Sequence, residues 1–229
     1  MKPKILFILH IPPPIHGAAM MGKYIQESEL VNSSFDCFCI NLATAGSLSD
    51  IGHISLKKLL KYFFLLKHIS HVVREIRPEL VYITPNAGGK AFFKDFIVVQ
   101  MLKSMGCKVI AHYHNKGVSV YQSKWVYNFF YKRFFSNLKV ILLAENLYKD
   151  IAKYVKREDV YICPNGIPSS CKEEMEARRN NVIPHLLFLS NLLISKGVIV
   201  LLDALKILKE KEYTFVCQFI GGETAEINA

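Results

Sequence analysis

Residues 4–22, KILFILHIPPPIHGAAMMG, form the stretch that decides the fold class of this chain. The run at 4–10 is short and apolar, which is typical of a buried strand. Three prolines at 12–14 end this strand, and the segment after Gly17 has the apolar spacing of a helix. A strand, a loop with a glycine and a helix, in this order, predict the first unit of an α/β fold.

The same alternation of short apolar runs and helical segments continues along the chain. Strands are predicted at 4–10, 35–40, 80–83, 108–112, 139–143, 159–163, 185–190 and 214–220. Helices are predicted at 18–30, 56–77, 90–105, 120–135, 146–156 and 196–211. Because parallel strands joined by crossover helices give this pattern, the predicted fold class is α/β, with a doubly wound, Rossmann-like parallel sheet.

The composition limits the classes of partner. Hydrophobic residues make up 51% of the 229 residues and charged residues 21%, which excludes a disordered chain. Lysine and arginine outnumber aspartate and glutamate by 29 to 19, so the net charge is +10. This excess favours nucleic acid, phosphorylated small molecules or an acidic membrane face as partners. The cysteines have neither CxxC spacing nor a histidine at zinc-ligand spacing, so we expect reduced thiols and no metal.

The segment 168–181 breaks the alternation, because it combines proline and serine with a dense run of charges and few large apolar residues. We interpret 1–167 as one complete domain and 168–183 as a linker. The remainder, 184–229, holds one strand–helix–strand unit, which is too small to cover both faces of a sheet. It is therefore predicted to be the truncated start of a second Rossmann-like domain. Its uncovered strand edge favours self-association or binding to a partner chain.

The first candidate site lies in the loop after the first strand. In an open parallel sheet, ligands bind at the carboxyl ends of the strands, so the loops there are the places to search. Small residues after His16 let a ligand approach the backbone N–H groups of a helix N-terminus, which favours negative charge at Gly17. A proline-stiffened turn with a glycine for close packing explains the loop equally well. No GxGxxG is present, which disfavours an NAD or FAD site.

The second candidate site is the end of the fourth strand, AHYHN at 111–115. His112 and His114 lie two residues apart where the strand opens into a loop. Either imidazole could donate to a phosphate or a sugar hydroxyl, or act as a base. A strand-end histidine bonded to a neighbouring carbonyl is the structural alternative. A metal pair is not expected, because no carboxylate or cysteine lies close in the sequence.

The third candidate site follows the first strand of the second unit. The segment LSNLLISKG, residues 189–197, ends that strand and opens a helix. A lysine at a helix N-terminus opposes the helix dipole unless an anion lies beside it, so Lys196 favours a phosphate site over a solvated surface. The turn CPNGIP at 163–168 is interpreted as a hinge at the mouth of the linker.

Two helical segments combine basic and aromatic residues in a way that suits a membrane interface, where cations meet anionic lipid and rings lie at headgroup depth. The candidate interface residues are Lys57, Lys58, Lys61, Lys124, Trp125, Lys132 and Arg133. An amphipathic core helix with a solvated edge is the structural alternative for each segment. A nucleic-acid groove has a similar composition, but no DNA- or RNA-binding motif accompanies it, so nucleic acid is not predicted as a partner.

Taken together, these segments resemble the family 4 glycosyltransferases, which are retaining enzymes of the two-domain GT-B architecture. The resemblance rests on the strand and glycine loop at 5–17, the histidines of the 111–115 strand end, the turn at 162–167, and the segment 189–197 with the apolar helix after it. The order and spacing of these motifs extend over nearly the whole chain.

The resemblance implies roles for individual residues. Gly17 would bring backbone N–H groups to the donor phosphates. His114, the implied catalytic residue, would contact the transferred sugar or the acceptor. Lys196 would bind the donor diphosphate as a point charge. Asn191 stands where the family has an arginine, and it can donate a hydrogen bond without supplying charge. The further implied contacts to the sugar or the acceptor are His16, His112 and Asn115.

The resemblance also implies the substrates and the division of labour. The donor is a nucleotide sugar, used as a substrate with no metal and no other cofactor, and the acceptor is a saccharide or a lipid-linked glycan of the cell envelope. Residues 1–167 correspond to the acceptor-side domain and 184–229 to the start of the donor-side domain. The family's Glu-x7-Glu pair would lie beyond Ala229, so we expect the isolated chain to transfer little sugar. The alternative is a non-catalytic Rossmann-like module that binds a membrane or a partner protein.

The amino-terminal run imitates a signal peptide but leads into prolines without a small-residue cleavage site. No apolar stretch reaches the roughly 18 residues that a membrane span requires. We therefore expect a cytoplasmic protein, held peripherally at the inner face of the cytoplasmic membrane if the two basic helices bind lipid.

Overall fold

The chain divides into two units, Met1–Ile167 and Pro168–Ala229. The structure, a computed structural model, describes residues 2–13, 15, 17–42, 56–166 and 183–222. His16 and the predicted linker, apart from Ile183, lie outside the described residues. The side chains of Lys57 and Lys58 are likewise not described, although both residues belong to a helix.

The first unit is built on a parallel six-stranded sheet, which confirms the predicted α/β fold class. Its strands are β1 (Lys4–Leu9), β2 (Asp36–Asn41), β3 (Leu80–Ile83), β4 (Val109–Tyr113), β5 (Lys139–Leu142) and β6 (Val160–Ile162). The spatial order is β2-β1-β3-β4-β5-β6, and every neighbouring pair is parallel. The chain therefore reverses its direction of travel across the sheet between β1 and β3, where α/β folds bind their ligands.

Helices connect the strands of the first unit. They are α1 (Gly17–Glu27), α2 (Glu29–Ser34), α3 (Leu56–Ile76), α4 (Gly89–Ser104), α5 (Val118–Tyr121), α6 (Trp125–Phe135) and α7 (Tyr148–Ile151). Short 3₁₀ turns at Glu145–Leu147 and Arg157–Asp159 flank α7. The described helices α3, α4 and α6 are the long crossovers, and each returns the chain from the carboxyl end of one strand to the amino end of the next.

Two of the predicted helices are each divided in two. The helix predicted at 18–30 stops because Ser28 has extended dihedral angles, and the Ser28 hydroxyl then accepts a hydrogen bond from the Val31 N–H, 3.4 Å away, to cap α2. The helix predicted at 120–135 is interrupted in the same way, because Lys124 is extended and α6 begins only after it. Apolar spacing continues across both breaks, which is why the sequence pattern does not reveal them.

The two faces of the sheet have separate cores. Strand residues such as Ile8, Val81 and Ala111 face a large core that includes residues of α3, α4, α6 and α7. The alternate residues, such as Phe7 and Tyr82, face a smaller core against residues of α1 and α2. The twofold alternation of strand side chains assigns each residue to one of these cores.

The helix α1 lies very close to β1. A Cβ atom added at Gly22 would lie 2.2 Å from the His10 carbonyl oxygen, a distance that no side chain can occupy. Gly22 is thus the residue that lets the first helix approach the end of the first strand. By contrast, an added Cβ at Gly17 meets no atom within 4 Å.

The second unit contains the parallel strands β7 (His185–Leu189) and β8 (Val216–Ile220), joined by α8 (Val198–Glu210). A 3₁₀ turn at Ile194–Lys196 precedes α8, and Gly197 between them has a left-handed φ of 83°. Several of its large apolar side chains are exposed, among them Leu187, Leu189 and Val200. The interpretation of 184–229 as the truncated start of a second Rossmann-like domain, and the self-association through it, stay predictions.

Candidate functional site

Polar side chains gather at the carboxyl edge of the large sheet. They follow β1, β3, β4 and β6, and they are His10, Thr84, Asn86, His114, Asn115 and Asn165. Thr84 Oγ1 lies 3.5 Å from His10 Nδ1, so the ends of the neighbouring strands β1 and β3 are also joined through side chains. This edge contains the reversal point of the sheet and is the place where the fold favours a ligand.

His112 and His114 are stacked on one another. Their side chains emerge on the same face because they are two residues apart, and the ring centroids are 4.3 Å apart with planes inclined by 36°. His112 is buried, and its Nδ1 shares a hydrogen bond with the Tyr82 hydroxyl. Burial, together with the neighbouring His114, lowers the pKa of His112 to about 4. Burial lowers the pKa of His114 as well, so neutral imidazoles prevail near neutral pH.

The orientation of His114 is fixed by Asn165. His114 Nδ1 lies 3.1 Å from Asn165 Oδ1, and an amide oxygen can only accept, so Nδ1 carries the hydrogen. The lone pair of the neutral ring is therefore on Nε2. This atom is buried and has no hydrogen-bond partner among the described residues, although the ring as a whole is half-buried. An orphaned acceptor of this kind favours a ligand that supplies a donor, such as a hydroxyl group.

Asn115 has a different setting from His114. Its Oδ1 accepts a hydrogen bond from the Ala87 N–H, 3.0 Å away, so it joins the loop after β4 to the loop after β3. Tyr131 of α6 donates to the Ala87 carbonyl oxygen over 2.6 Å and holds the same loop from the helical side. The predicted contact of Asn115 with a sugar or an acceptor stays a prediction, because its side-chain oxygen already has this partner.

Two carboxylates that were not predicted as site residues hold the loops at the carboxyl edge of the sheet. Asp95 is almost completely buried, and its Oδ2 accepts from the backbone N–H and the side-chain amide of Asn86 at 2.8 and 2.9 Å. Burial raises the pKa of Asp95 to about 6, although the two Asn86 hydrogen bonds oppose this rise. In the sequence, Asp95 stands out only as a single acidic residue among the apolar residues of a predicted helix.

Asp150 holds the loop after β4. It accepts hydrogen bonds from the N–H groups of Gly117, Val118 and Ser119 at 2.9 to 3.0 Å, and also from the Ser119 hydroxyl. Burial opposes ionisation, but these hydrogen bonds dominate and leave the pKa of Asp150 below its usual value. The carboxylate thus caps the short helix α5 from a residue more than thirty positions along the chain.

The predicted phosphate-binding residues lie in different units. Gly17 is the first residue of α1 in the first unit and is exposed. Asn191 directly follows β7 in the second unit, and Lys196 is exposed in the turn before α8. The structure therefore gives the position of each of these residues within its own unit. Their shared role in phosphate binding stays a prediction.

A pair of glycines supports the loop that contains Asn191. The Leu192 N–H donates to the Gly222 carbonyl oxygen over 2.9 Å, and a Cβ added at Gly221 would lie 1.8 Å from the Ser190 carbonyl oxygen. The loops after β7 and β8 are therefore in direct backbone contact, which requires glycine at 221. The sequence showed this glycine pair, but only the parallel pairing of the two strands gives it this role.

The predicted membrane-interface residues are on the outer surface of the helical layer. Lys61, Lys124, Trp125, Lys132 and Arg133 are all exposed, and Trp125 has 82% of its surface accessible. Within the described residues, no helix is both long and apolar enough to cross a bilayer. The same part of the chain has no cluster of histidine, cysteine or acidic residues that could hold a metal ion.

A shallow depression lies at the opposite, amino edge of the sheet. It is lined by Gln100, Lys103, Gly106, Cys107, Arg133, Ser136 and Asn137. The Lys103 ammonium donates to the carbonyl oxygens of Arg133, Phe134 and Ser136 over 2.6 to 3.0 Å, so it caps the carboxyl end of α6. Its donors are thus engaged in a structural role, which distinguishes this depression from the edge that contains His114.

Comparison with known proteins identifies the architecture. No protein-family model matches the sequence, and no curated protein is significantly similar to it. Among solved structures, OtsA in its apo form is 10% identical over 100% of this chain and 67% of its own, with a TM-score of 0.57. The first unit has the fold of a Rossmann-like GT-B domain.

Two further solved structures have similar scores. Staphylococcus aureus MnaA, solved with UDP, is 10% identical over 100% of this chain and 63% of its own, with a TM-score of 0.53. The glycotransferase of kitacinnamycin is 10% identical over 95% of this chain and 66% of its own, with a TM-score of 0.52. The chain thus spans about two thirds of the length of these proteins. The predicted GT-B fold is confirmed, whereas membership of family 4 and retention of configuration stay predictions.

Proposed function

We propose that this chain takes part in the transfer of a sugar from a nucleotide-sugar donor to a saccharide or lipid-linked acceptor. The observation that carries the proposal is the unpartnered Nε2 of His114, a hydrogen-bond acceptor at the ligand-binding edge of a GT-B fold. A sugar is the ligand class that best suits it, because sugars present hydroxyl donors. The neighbours that hold UDP and that are glycotransferases support the same class of chemistry.

In this proposal His114 acts as the catalytic residue that contacts the reacting sugar. Its neutral ring accepts a hydrogen bond from a hydroxyl of the donor sugar or the acceptor, and its fixed tautomer makes that acceptor available without reorganisation. The burial that lowers its pKa keeps the ring neutral in the pH range of the cytoplasm. His112 and His16 are proposed to line the same sugar or acceptor site.

The donor phosphates are proposed to bind at two places. Gly17 is the first residue of α1, and a Cβ atom added there would meet no atom within 4 Å, so a phosphate has room to approach the backbone N–H groups. Lys196 supplies a positive charge, and the Asn191 amide supplies a hydrogen bond where the resembling family has an arginine. The donor is a substrate, and we propose no metal or other cofactor. Retention of configuration and a cell-envelope acceptor are proposed on the resemblance to family 4.

Binding of nucleotide sugars tests this function. The full chain is titrated by calorimetry with UDP-, GDP-, ADP- and dTDP-sugars and with each free nucleoside diphosphate. We expect one nucleotide sugar to bind more tightly than its diphosphate, and His114→Ala to abolish that difference while binding of the diphosphate is retained. His68→Ala, which changes an exposed histidine of α3, is the matched control. If no nucleotide sugar binds, or if the two variants behave alike, the proposed function is wrong.

A non-catalytic module that binds a membrane or a partner is the second candidate function. It is favoured by the exposed basic and aromatic residues of α3 and α6, which no described element covers. It predicts binding to anionic lipid vesicles without measurable affinity for any nucleotide sugar. The calorimetric titrations therefore distinguish it from the first candidate.

A further inference from the structure

The outer surfaces of α3 and α6 expose large apolar side chains. On α3 they are Leu59, Leu60, Phe63 and Phe64, and on α6 they are Trp125 and Phe129. Leu59 and Phe64 are 61% and 64% exposed. These six residues are called the docking face below. Exposed apolar residues grouped on the outer side of one helical layer mark an interaction site.

The docking face is separate from the surface that each helix presents to the core. On α3 the inner residues include Ile69 and Val73, and on α6 they include Tyr131 and Phe134, all of which are buried. Each helix therefore satisfies the packing of the sheet with one side and presents apolar residues on the other. Packing as an amphipathic core helix accounts for the buried inner residues but not for the apolar residues that are exposed on the outer side.

Cations accompany the exposed rings in the same arrangement on both helices. The Lys67 ammonium lies 4.8 Å from the ring centroid of Phe63, and the Arg133 guanidinium lies 4.8 Å from that of Phe129. In both cases the cation is four residues after the ring. A ring below a cation is the arrangement that places apolar atoms at acyl depth and positive charge at headgroup depth.

The charge of this surface has one sign. The described helices α3, α4 and α6 contain eight lysines and two arginines but only two acids, Glu75 and Asp95. Asp95 is buried beneath the surface, and Glu75 belongs to the last turn of α3, away from the docking face. The outer layer is therefore complementary to an anionic surface.

The docking face also lies toward the edge of the sheet that contains His114. A crossover helix begins at the carboxyl edge and ends at the amino edge, and the docking-face residues lie in the first turns of α3 and α6. The Tyr131 hydroxyl reaches the Ala87 carbonyl oxygen just beyond β3, so α6 contacts the loop at the carboxyl edge. The Tyr62 hydroxyl likewise reaches the Lys94 carbonyl oxygen, so the early turns of α3 and α4 are side by side.

We propose that the docking face binds the surface of a bilayer that contains anionic phospholipid, so that the carboxyl edge of the large sheet is held beside the headgroups. If the proposed function holds, the acceptor is then a lipid-linked saccharide taken from that bilayer. A bilayer fits better than nucleic acid because Leu59 and Leu60 offer aliphatic surface rather than stacking partners. Lipid binding itself does not depend on the proposed function.

Cosedimentation of the full chain with vesicles tests this proposal. The probes are vesicles of phosphatidylcholine alone and of phosphatidylcholine with phosphatidylglycerol, at low and high salt. We expect binding only to the anionic vesicles, with affinity that falls as salt rises. The double variants Leu59→Gln/Phe63→Gln and Lys61→Gln/Lys67→Gln should each lower the partition coefficient on the order of tenfold or more.

Matched controls come from exposed residues elsewhere on the first unit. Leu30→Gln changes a leucine of α2 that is 77% exposed on the other side of the sheet. Lys4→Gln/Lys108→Gln removes two exposed lysines at the amino edge. Both controls should bind vesicles like the unaltered chain, and all variants should keep its thermal unfolding midpoint, because every altered side chain is exposed.

The other outcomes are informative in a definite direction. No binding to anionic vesicles, or an equal loss in the control variants, overturns the docking face. The proposal is also overturned if the chain does not bind vesicles and the Leu59→Gln/Phe63→Gln variant instead loses a concentration-dependent dimer. The same holds if that variant loses binding to a duplex or single-stranded oligonucleotide. Vesicle binding without any affinity for nucleotide sugars leaves the docking face standing and refutes the proposed glycosyl transfer. The two failures are therefore distinguishable.

Discussion

The Nδ1 atom of His114 lies 3.1 Å from the Oδ1 atom of Asn165, although the two residues are 51 positions apart. His114 follows β4, whereas Asn165 follows β6 in the turn that ends the described part of the first unit. The amide oxygen selects the tautomer with its hydrogen on Nδ1, which leaves the Nε2 lone pair available to a ligand. Asn165 is thus a positioning residue for the candidate catalytic histidine.

Replacement of Asn165 should change the titration of His114. The hydrogen bond from the ring to Asn165 favours the charged form, so Asn165→Ala should lower the pKa of His114 further. Asn165→Asp should raise it, because a carboxylate stabilises the imidazolium. The pKa and the tautomer of each histidine are measured from ¹⁵N chemical shifts. A pKa of His114 that is the same in all three proteins would contradict this positioning role.

His112 should make the stability of the first unit depend on pH. Its pKa is about 4 when folded and 6.5 as a free side chain, so the folded state binds fewer protons. The stabilisation is complete above the unfolded pKa and is lost as the pH falls from 6.5 toward 4, by about 3 kcal/mol. Denaturant unfolding of the unaltered chain and of His112→Gln across this range measures it as a difference, which cancels contributions from Asp95 and other acids. A difference that is independent of pH would contradict this.

The two glycines of α1 should respond differently to an added methyl group. Gly22→Ala should destabilise the first unit by roughly 1–3 kcal/mol or more, because the methyl group meets the His10 carbonyl oxygen at 2.2 Å. Gly17→Ala should be neutral or stabilising by up to about 1 kcal/mol, since no atom lies within 4 Å. Thermal and denaturant unfolding measure both. Equal losses in the two variants would show that α1 is not packed as described.

Loss of the Asp150 carboxylate should loosen the loop after β4. Asp150→Ala leaves the N–H groups of Gly117 and Val118 without their acceptor, which should cost roughly 1–3 kcal/mol. Glu158→Ala is the control, because this exposed acid makes only a surface ion pair with Lys156. Unfolding curves and hydrogen exchange at 117–119 measure the effect. An unchanged exchange rate in Asp150→Ala would contradict the capping role.

The fold was predictable because it depends on local patterns. The strands are short apolar runs between turn residues, and all eight predicted strands are present within a few residues of their predicted bounds. The breaks at Ser28 and Lys124 were not predictable from apolar spacing, since the core continues to be packed on both sides of each break. At Ser28 the hydroxyl caps the second helix and so fixes the position of the break. A single serine within a helical pattern does not predict such a cap.

The candidate site was predictable only in part. His112 and His114 were selected from the sequence as two histidines at a strand end, and in the structure their rings are stacked on one another. Asn165, Asp95 and Asp150 act through contacts between residues that are distant in sequence, so no local pattern identifies their partners. The resemblance to family 4 drew attention to the turn at 162–167, but the link from that turn to His114 required the parallel sheet.

The most direct test of the central claim is the response of the His114 imidazole to a bound donor. The full chain is labelled with ¹⁵N-histidine and titrated with the nucleotide sugar that calorimetry selects, and separately with the matching nucleoside diphosphate. If His114 Nε2 accepts a hydrogen bond from the sugar, its resonance shifts with the nucleotide sugar and not with the diphosphate, while His71 is unaffected. An Nε2 resonance that is unchanged at saturation, or that shifts equally with both ligands, would contradict the assignment of this site to a sugar.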